Sequence, residues 1–292
     1  MKIAITGASG FIGKRFMELG AGQGHSFVTL GRKNADVLWD ANSVLDPKSL
    51  DGVDAVVHLA GEPVAQRWSD TVKDKIMRSR VDGTGSIVDA LGKSKVKILV
   101  CASAVGYYGF RGDELLAETS SAGKGFLPDV CVAWEAAADR AADFGVSVVK
   151  LRIAMVLGRG GGALATMETP FKLGVGGKLG SGEQWMSWIH LEDMARLILF
   201  ALNKEIDTSG LPCALNATAP NPVTNADFTR LYGAALHRPV IFPVPEFALQ
   251  LLYGEMAQMI LGSQRVIPTA TERMGFQFRF PDLASALKEI YG

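Results

Sequence analysis

The sequence is poor in cysteine and histidine and has no excess of either charge. Its three cysteines, Cys101, Cys131 and Cys213, show no metal-ligand spacing, and a sparse, odd number is typical of a reducing cytosol. The four histidines are scattered, so no metal site is predicted. The 30 Lys and Arg residues balance 30 Asp and Glu residues, which leaves no basic surface for nucleic acid and no acidic tail for a basic partner.

Long apolar runs are also missing. No stretch reaches the roughly 18 consecutive apolar residues that a membrane helix needs, so no membrane segment is predicted. Met1 and Lys2 lead directly into an apolar run, which predicts no cleavable signal sequence and, with the cysteine pattern, a cytoplasmic location. The 292 residues, 48% hydrophobic, are sufficient for one large domain or for one large and one small domain.

The first thirteen residues carry the most specific pattern. An apolar run at residues 3–5 predicts a strand buried on both faces, and a helical pattern begins at Phe11. Between and just beyond them lie three glycines at three-residue spacing, Gly7, Gly10 and Gly13. A strand, a glycine-rich turn and a helix are the context of a dinucleotide fingerprint. The first helical N–H groups, including those of Phe11 and Ile12, would face the pyrophosphate. The alternative is a turn with a purely structural role.

The end of the second predicted strand indicates which dinucleotide is bound. Residues 26–30 form this strand, which ends in Gly31, Arg32 and Lys33. An acidic residue here would accept hydrogen bonds from a ribose 2′-hydroxyl, whereas the planar fork of arginine suits a 2′-phosphate. We therefore predict NADP rather than NAD; the alternative is a solvated basic turn. Asp40, after the third predicted strand, is placed either near the adenine amino group or on a surface turn.

Further candidates follow the fourth strand, predicted at residues 55–60. The small residues Ala60 and Gly61 would let the backbone pass close under the cofactor, and Leu59 and Ala60 would flank its ribose and nicotinamide. Glu62 lies either in the site or on the loop surface. In the next helix, Arg80 precedes two small glycines that predict close helix packing, which would direct Arg80 toward the cofactor.

Three hydroxyl groups come at the end of the next predicted strand, residues 96–103. Ser103 ends it, and Tyr107 and Tyr108 follow between glycines. Their hydroxyls could donate hydrogen bonds to a substrate oxygen. The alternative for the tyrosines is packing over a loop.

The alternation of strands and helices predicts an α/β fold with a doubly wound parallel sheet of Rossmann type. After Gly158 the composition becomes glycine-rich. We predict a nucleotide-binding domain at 1–158, with sheet elements returning from 183–220, and a smaller substrate-side lobe at 159–292. The same patterns predict a loop over 110–128, a helix starting at Cys131 and a continuous helix over 246–261.

Several of these motifs resemble the extended short-chain dehydrogenase/reductase superfamily, namely Thr6–Gly13, His58–Gly61 and Trp188–Asp193. More narrowly, the chain resembles the atypical epimerase family with a C-terminal domain of unknown function, through Leu59–Pro63, Trp134–Ala137, Gly158–Ala163 and Gly275–Phe278. The resemblance implies a Rossmann fold, NADP binding and an activity that is usually left unassigned. Because extended members often pair through helices, it also implies a possible homodimer.

The chain departs from the superfamily at the residues that handle protons. Active members carry a serine and a Tyr-x-x-x-Lys pair, and by spacing Cys131 and Glu135 stand in place of that pair. A carboxylate one turn away would raise the thiol pKa, so Cys131 is expected to be a small core residue. Ser103 is retained, and Tyr107 or Tyr108 could supply the missing phenol. Arg80 replaces an asparagine, and an arginine there could bridge to a phosphate or to a carboxylate substrate.

Two functions follow from this departure. One is an NADP(H)-binding oxidoreductase or epimerase-like enzyme with an altered active site, acting on a small carbonyl or sugar-like substrate. The other is a catalytically silent NADPH-binding sensor. A third interpretation is an assembly protein with a vestigial pocket.

Overall fold

A computed structural model describes residues 1–203 and 213–292. Its strands are β1 (Lys2–Thr6), β2 (Ser26–Gly31), β3 (Val37–Leu38), β4 (Ala55–His58), β5 (Ile98–Ala104), β6 (Leu115–Leu116), β7 (Ser147–Ile153), β8 (Met155–Leu157), β9 (Trp185–Met186), β10 (Trp188–His190), β11 (Cys213–Ala217), β12 (Val223–Thr224) and β13 (Arg265–Val266). Its helices are α1 (Phe11–Gly22), α2 (Asp70–Leu91), α3 (Phe126–Asp139), α4 (Gly162–Lys172), α5 (Leu191–Ala201), α6 (Asn225–Ala235), α7 (Glu246–Tyr253), α8 (Ala257–Leu261), α9 (Thr269–Arg273) and α10 (Leu283–Tyr291).

Seven strands form one parallel sheet in the order β11-β7-β5-β4-β1-β2-β3. β1 lies between β4 and β2, so the chain reverses its direction of winding beside β1. At the carboxyl edge, Thr6 is paired with His58 and Ser103 with Arg152. A ligand of an open parallel sheet binds at this edge.

Helices cover both faces of the sheet. Because side chains alternate along a strand, Ile3 and Ile5 enter one core and Ala4 enters the other. The first core includes Phe16 from α1 with Leu197 and Ile198 from α5, and the second includes Ile87 and Leu91 from α2 with Trp134 and Ala138 from α3. The predicted doubly wound α/β fold is therefore confirmed.

A third core lies in the second half of the chain. It joins Leu164 and Phe171 of α4, Trp188 of β10, Phe228 and Tyr232 of α6 and Leu287 of α10. β11, from the same half, returns to the main sheet. Part of the predicted 183–220 stretch lies outside the described residues, and the division at residue 158 stays a prediction. None of the helices in the described ranges combines the length and the apolar character that a bilayer crossing demands.

Two helices differ from their predicted bounds. α3 begins at Phe126 rather than at Cys131, because Pro128 fits within a first helical turn, where its missing N–H is not needed. The predicted helix over 246–261 is interrupted at Gly254, whose φ of +60° separates α7 from α8. The predicted loop over 110–128 contains β6, which pairs with β13 and so connects this loop to the C-terminal part of the chain.

Candidate functional site

The turn between β1 and α1 is closed by contacts that require glycine. Gly7 has a φ of +74°, and a Cβ there would lie 3.0 Å from the carbonyl carbon of Leu59. The N–H of Gly10 donates to the carbonyl oxygen of Gly7 at 3.0 Å. A Cβ on Gly13 would overlap that same oxygen. Main chain alone therefore lines this turn.

The first turn of α1 leaves backbone donors available. Gly10 caps the helix without a side-chain hydrogen bond, and the Lys14 N–H donates to the Gly10 carbonyl at 3.0 Å. The N–H groups of Phe11, Ile12 and Gly13 precede that bond and have no acceptor in the helix. An uncapped helix N-terminus behind a glycine turn fits the pyrophosphate of a dinucleotide.

Thr6 and His58 stabilise the backbone that lies beside the turn between β1 and α1. The Thr6 hydroxyl accepts the N–H groups of Leu59 and Ala60, both at 3.1 Å, and lies 2.7 Å from Nδ1 of His58. His58 is fully buried, and burial, with a smaller effect of the Arg80 charge, lowers its pKa to about 4. The imidazole is therefore neutral at ordinary pH, and it orders the backbone that passes Gly7.

The end of β2 presents cations and no free carboxylate. Arg32 and Lys33 are exposed, and no side chain in the described part of the chain bonds to either. The nearby Asp36 turns back onto β2, where its Oδ2 accepts the N–H and the hydroxyl of Thr29, each at 2.8 Å. These hydrogen bonds lower the pKa of Asp36. A Cβ on Gly31 would lie 3.5 Å from the Cβ of Ala35, an ordinary contact, and the two exposed cations suit a 2′-phosphate. Asp40 accepts the Asn42 N–H at 2.7 Å in its own turn.

Arg80 braces the loop that follows β4. Its Nη1 donates to the carbonyl oxygens of Glu62, at 3.0 Å, and Ile76, at 3.2 Å. Its guanidinium carbon lies 5.0 Å from the ring centre of Trp134 and would lie 3.3 Å from a Cβ on Gly61. The Glu62 N–H donates to the Ser79 hydroxyl at 3.0 Å, and the Glu62 side chain is partly exposed. Arg80 thus supports the backbone expected to pass under the cofactor.

Ser103, Glu135 and Arg152 form a buried network at the carboxyl edge. The Ser103 hydroxyl donates to Oε1 of Glu135 at 2.7 Å. Arg152 donates two hydrogen bonds to the same carboxylate, from Nε to Oε1 at 2.8 Å and from Nη2 to Oε2 at 3.0 Å. A cation is therefore present in this network, but it comes from strand β7 and is paired with a carboxylate.

The two tyrosines meet Arg152 in different ways. The fully buried Tyr108 hydroxyl accepts from Nη1 of Arg152 at 2.9 Å and donates to Oδ1 of Asn216 at 2.7 Å. Burial raises the pKa of Tyr108 to about 12 despite the Arg152 charge. The Tyr107 ring is partly exposed, and its centre lies 3.5 Å from the guanidinium carbon of Arg152. Burial lowers the pKa of Arg152, but the hydrogen bonds with Glu135 and Tyr108 outweigh this effect and raise it.

Cys131 packs as a core residue, as predicted. It is buried, and burial, followed by the charge of Glu135, raises its pKa to about 12. A thiol in this state holds its proton at ordinary pH, so Cys131 does not replace the phenol of a family tyrosine.

The structure brings Ser103, Tyr107 and Tyr108 to one network and the glycines of the first turn beside Leu59 and Ala60. Their roles toward a ligand stay predictions.

The sequence analysis did not identify Arg152 as a site residue, although the sequence contains a pattern that could have indicated it. Lys150 and Arg152 share one face of β7, and Glu135 and Asp139 share one face of α3. Basic residues two apart on a strand and acidic residues four apart on a helix predict matched ion pairs, and Lys150 Nζ indeed lies 2.6 Å from Asp139.

The sequence profile of the NAD dependent epimerase/dehydratase family matches residues 3–210, which is more than half of the chain. The chain belongs to the NAD-dependent epimerase/dehydratase family. A second profile, that of a domain of unknown function (DUF1731), matches residues 244–290 of this epimerase-family chain. The resemblance stated from the sequence is therefore confirmed.

Relatives of this epimerase-family chain are similar over nearly its whole length. The Epimerase family protein SDR39U1 homolog, chloroplastic, of Arabidopsis thaliana is 38% identical and covers 99% of this chain and 86% of its own length. The human Epimerase family protein SDR39U1 is 36% identical and covers 99% of both chains.

Two solved structures are also similar. Human epimerase family protein SDR39U1 (isoform2) with NADPH matches at a TM-score of 0.87 and 34% identity, covering 100% of this chain and 99% of the other. A nucleoside-diphosphate sugar epimerase from Corynebacterium glutamicum matches at a TM-score of 0.82 and 34% identity, covering 100% of this chain and 58% of the other.

Proposed function

We propose that this chain binds NADP(H) at the turn between β1 and α1 and prefers it to NAD(H). The main support for this proposal is the tight turn at Gly7, Gly10 and Gly13, which is followed by helical N–H groups that no side chain caps. Such N–H groups bind phosphate. Arg32 and Lys33 at the end of β2, with Asp36 turned away, support the choice of the phosphorylated dinucleotide. The human relative that was solved with NADPH supports the same cofactor.

Titration with NADPH and NADH, followed by nicotinamide fluorescence, tests this proposal. We expect NADPH to bind at least tenfold more tightly. Arg32→Ala should reduce that preference, because the 2′-phosphate loses its fork of donors. Lys93→Ala, an exposed cation beyond the end of α2, is the control and should leave both affinities unchanged. Equal affinities in the unmodified protein would remove the NADP assignment.

We also propose an oxidoreductase or epimerase-like reaction on a small carbonyl or sugar-like substrate. When bound, the cofactor supplies or accepts a hydride. Ser103 directs its single hydroxyl proton to Glu135, and Tyr108 directs its proton to Asn216. The Tyr107 hydroxyl has no partner among residues 1–203 and 213–292, and its ring is partly exposed. Of the three candidates, Tyr107 is therefore the hydroxyl that is free to contact a substrate oxygen.

A panel of small carbonyl and sugar-nucleotide substrates tests the reaction, screened for oxidation of NADPH and, with NADP⁺, for conversion of each sugar nucleotide to its epimer, because epimerisation consumes no cofactor. With any substrate that turns over, Tyr107→Phe should lower kcat by about 100-fold, within the range of acid–base assistance. Tyr108→Phe should change kcat much less and reduce stability instead. If Tyr107→Phe leaves kcat unchanged, Tyr107 has no role in proton transfer.

The second candidate function is that of a catalytically silent NADPH-binding sensor. It is supported by the same network, because Ser103 and Tyr108 are both engaged inside the protein and burial keeps the Tyr108 pKa near 12. The discriminating outcome is tight NADPH binding with neither oxidation of NADPH nor epimerisation of any member of the panel. The cytoplasmic location and the absence of nucleic-acid and membrane partners remain part of this proposal.

A further inference from the structure

Helix α7 exposes an apolar face on the C-terminal lobe. Only one of its side chains, Leu249, is buried. Phe247 is 71% exposed, Leu251 is 78% exposed, and the neighbouring Leu252 is more than half exposed. Since Phe247 and Leu251 are four residues apart, they form one stripe along the helix.

The segment before α7 extends this surface. Ile241 is 70% exposed and Phe242 is 65% exposed. This segment runs beside residues 174–180, because the Val244 N–H donates to the Lys178 carbonyl at 2.8 Å and the Gly180 N–H donates to the Val244 carbonyl at 2.9 Å. Leu173 and Val175, also more than half exposed, lie just before that neighbouring stretch and within it, respectively. We call the set the α7 face, consisting of Leu173, Val175, Ile241, Phe242, Phe247, Leu251 and Leu252.

The α7 face is large for a monomer. If a fully exposed phenylalanine presents about 150–250 Å² and an aliphatic side chain somewhat less, the seven residues together present on the order of 700 Å². The largest apolar patch on a typical monomer is about 300–600 Å². A standard interface buries about 800 Å² on each partner, so the area is close to what a stable dimer needs.

Charge and shape point to a second copy as the occupant. The charged residues in the stretches 172–178 and 239–253 are Lys172, Lys178 and Glu246, which are of both signs, so two copies of the face would meet without bringing a cluster of like charges together. The face also borders a groove of about 420 Å³, lined by residues that include Phe110, Ala257 and Leu261. A protruding stripe beside a groove on one surface can be self-complementary across a two-fold axis.

We propose that the α7 face is the homodimer interface of this protein, each copy placing its α7 stripe against the lobe of the other. The proposed interface does not include helices α2 and α3. It does not depend on the proposed cofactor or reaction.

Analytical ultracentrifugation from about 1 to 100 μM tests the proposal. We expect the unmodified chain to sediment at twice its monomer mass of 31.2 kDa. Phe247→Asp combined with Leu251→Asp should raise the dimer dissociation constant by at least about 100-fold, because four carboxylates would enter an apolar contact. Val132→Asp, at an exposed apolar position of α3, is the control and should remain dimeric. Far-ultraviolet circular dichroism reports whether each variant is folded.

A monomeric unmodified chain at the highest concentration overturns the proposal whether or not any variant folds. A dimer that survives the α7 changes but is lost in Val132→Asp also overturns it, since helix α3 would then carry the contact. The same holds for a monomer that sediments with vesicles of neutral phospholipid, which would assign the α7 face to a lipid surface.

Discussion

At the scale of single residues, Glu135 binds two partners inside the protein, the Ser103 hydroxyl and both arms of Arg152. A buried ion pair adds little net stability over a well-packed apolar pair, but removal of one partner leaves the other charge without compensation. Loss of Glu135 is therefore expected to lower the free energy of unfolding more than loss of Asp129, an exposed acidic residue on the same helix.

Glu135→Gln should lower the free energy of unfolding by about 3–5 kcal/mol, measured by urea denaturation, because Arg152 loses its counter-ion in a buried site. Ser103→Ala is the matched control. It removes one hydrogen bond to the same carboxylate and should lower stability by about 1–3 kcal/mol. If the two losses are equal, Arg152 does not depend on the charge of Glu135.

Gly13 and Gly22 lie in the same helix and should respond in opposite ways to alanine. A Cβ on Gly13 would overlap the Gly7 carbonyl, so Gly13→Ala should displace α1 and weaken NADPH binding by at least tenfold. A Cβ on Gly22 meets nothing within 4 Å, so Gly22→Ala should retain affinity and add up to about 1 kcal/mol of stability. Fluorescence titration and thermal unfolding measure the two effects. Equal affinities would show that α1 tolerates a side chain at the turn.

At the scale of elements, the residue just before β13 stabilises the turn that carries Tyr107. Gln264, just before β13, donates from Nε2 to the carbonyl oxygens of Val105, at 3.0 Å, and Gly109, at 2.9 Å. These two carbonyls flank the tyrosines, so the C-terminal region positions a turn that belongs to the first half of the chain.

Gln264→Leu should remove one donor from each carbonyl and lower stability by about 1–3 kcal/mol. It should also raise the rate of amide hydrogen exchange in residues 105–110, because the turn loses its two hydrogen bonds from Gln264. Gln277→Leu, an exposed glutamine in the same region of the chain, is the control and should change neither quantity. Unchanged exchange in Gln264→Leu would show that the turn is ordered by its own contacts.

The sequence predicts most strands and helices of the nucleotide-binding half because their signals are local. The run at residues 3–5 and the glycines after it set strand, turn and helix within thirteen residues. The start of α3 was predicted five residues late, because Pro128 was interpreted as part of a loop although it suits a first helical turn. Arg152 was not predicted, because its role depends on residues 17 and 44 positions away, Glu135 and Tyr108, which only the folded sheet brings together.

At the scale of the whole molecule, the histidines make folding sensitive to mild acid. The pKa of the buried His58 is lowered to about 4 from an ordinary 6.5, so the unfolded chain takes up its proton first as the pH falls. The stabilisation is complete above pH 6.5 and is lost as the pH falls toward 4. Burial also lowers the pKa values of His25 and His190, which act in the same direction.

Denaturation between pH 7 and pH 4 should therefore show a loss of stability to which His58 contributes about 3 kcal/mol. His58→Asn keeps an acceptor near Thr6 and removes the titrating ring, so its stability should fall less steeply with pH. His237→Asn is the control, since His237 is exposed and its φ of +54° suits asparagine. If His58→Asn follows the slope of the unmodified chain, His58 is not the titrating group.

The pairing of Glu135 with Arg152 also restricts how this protein can evolve. Glu135→Lys alone would restore the lysine of ordinary family members, but it would set a second cation against Arg152, with Lys150 Nζ only 3.9 Å from the present carboxylate. Both Arg152 and position 135 must change before that lysine fits, and each single change passes through an unstable protein. A return from glutamate to lysine at position 135 would therefore take two substitutions, the first of which is expected to lower stability.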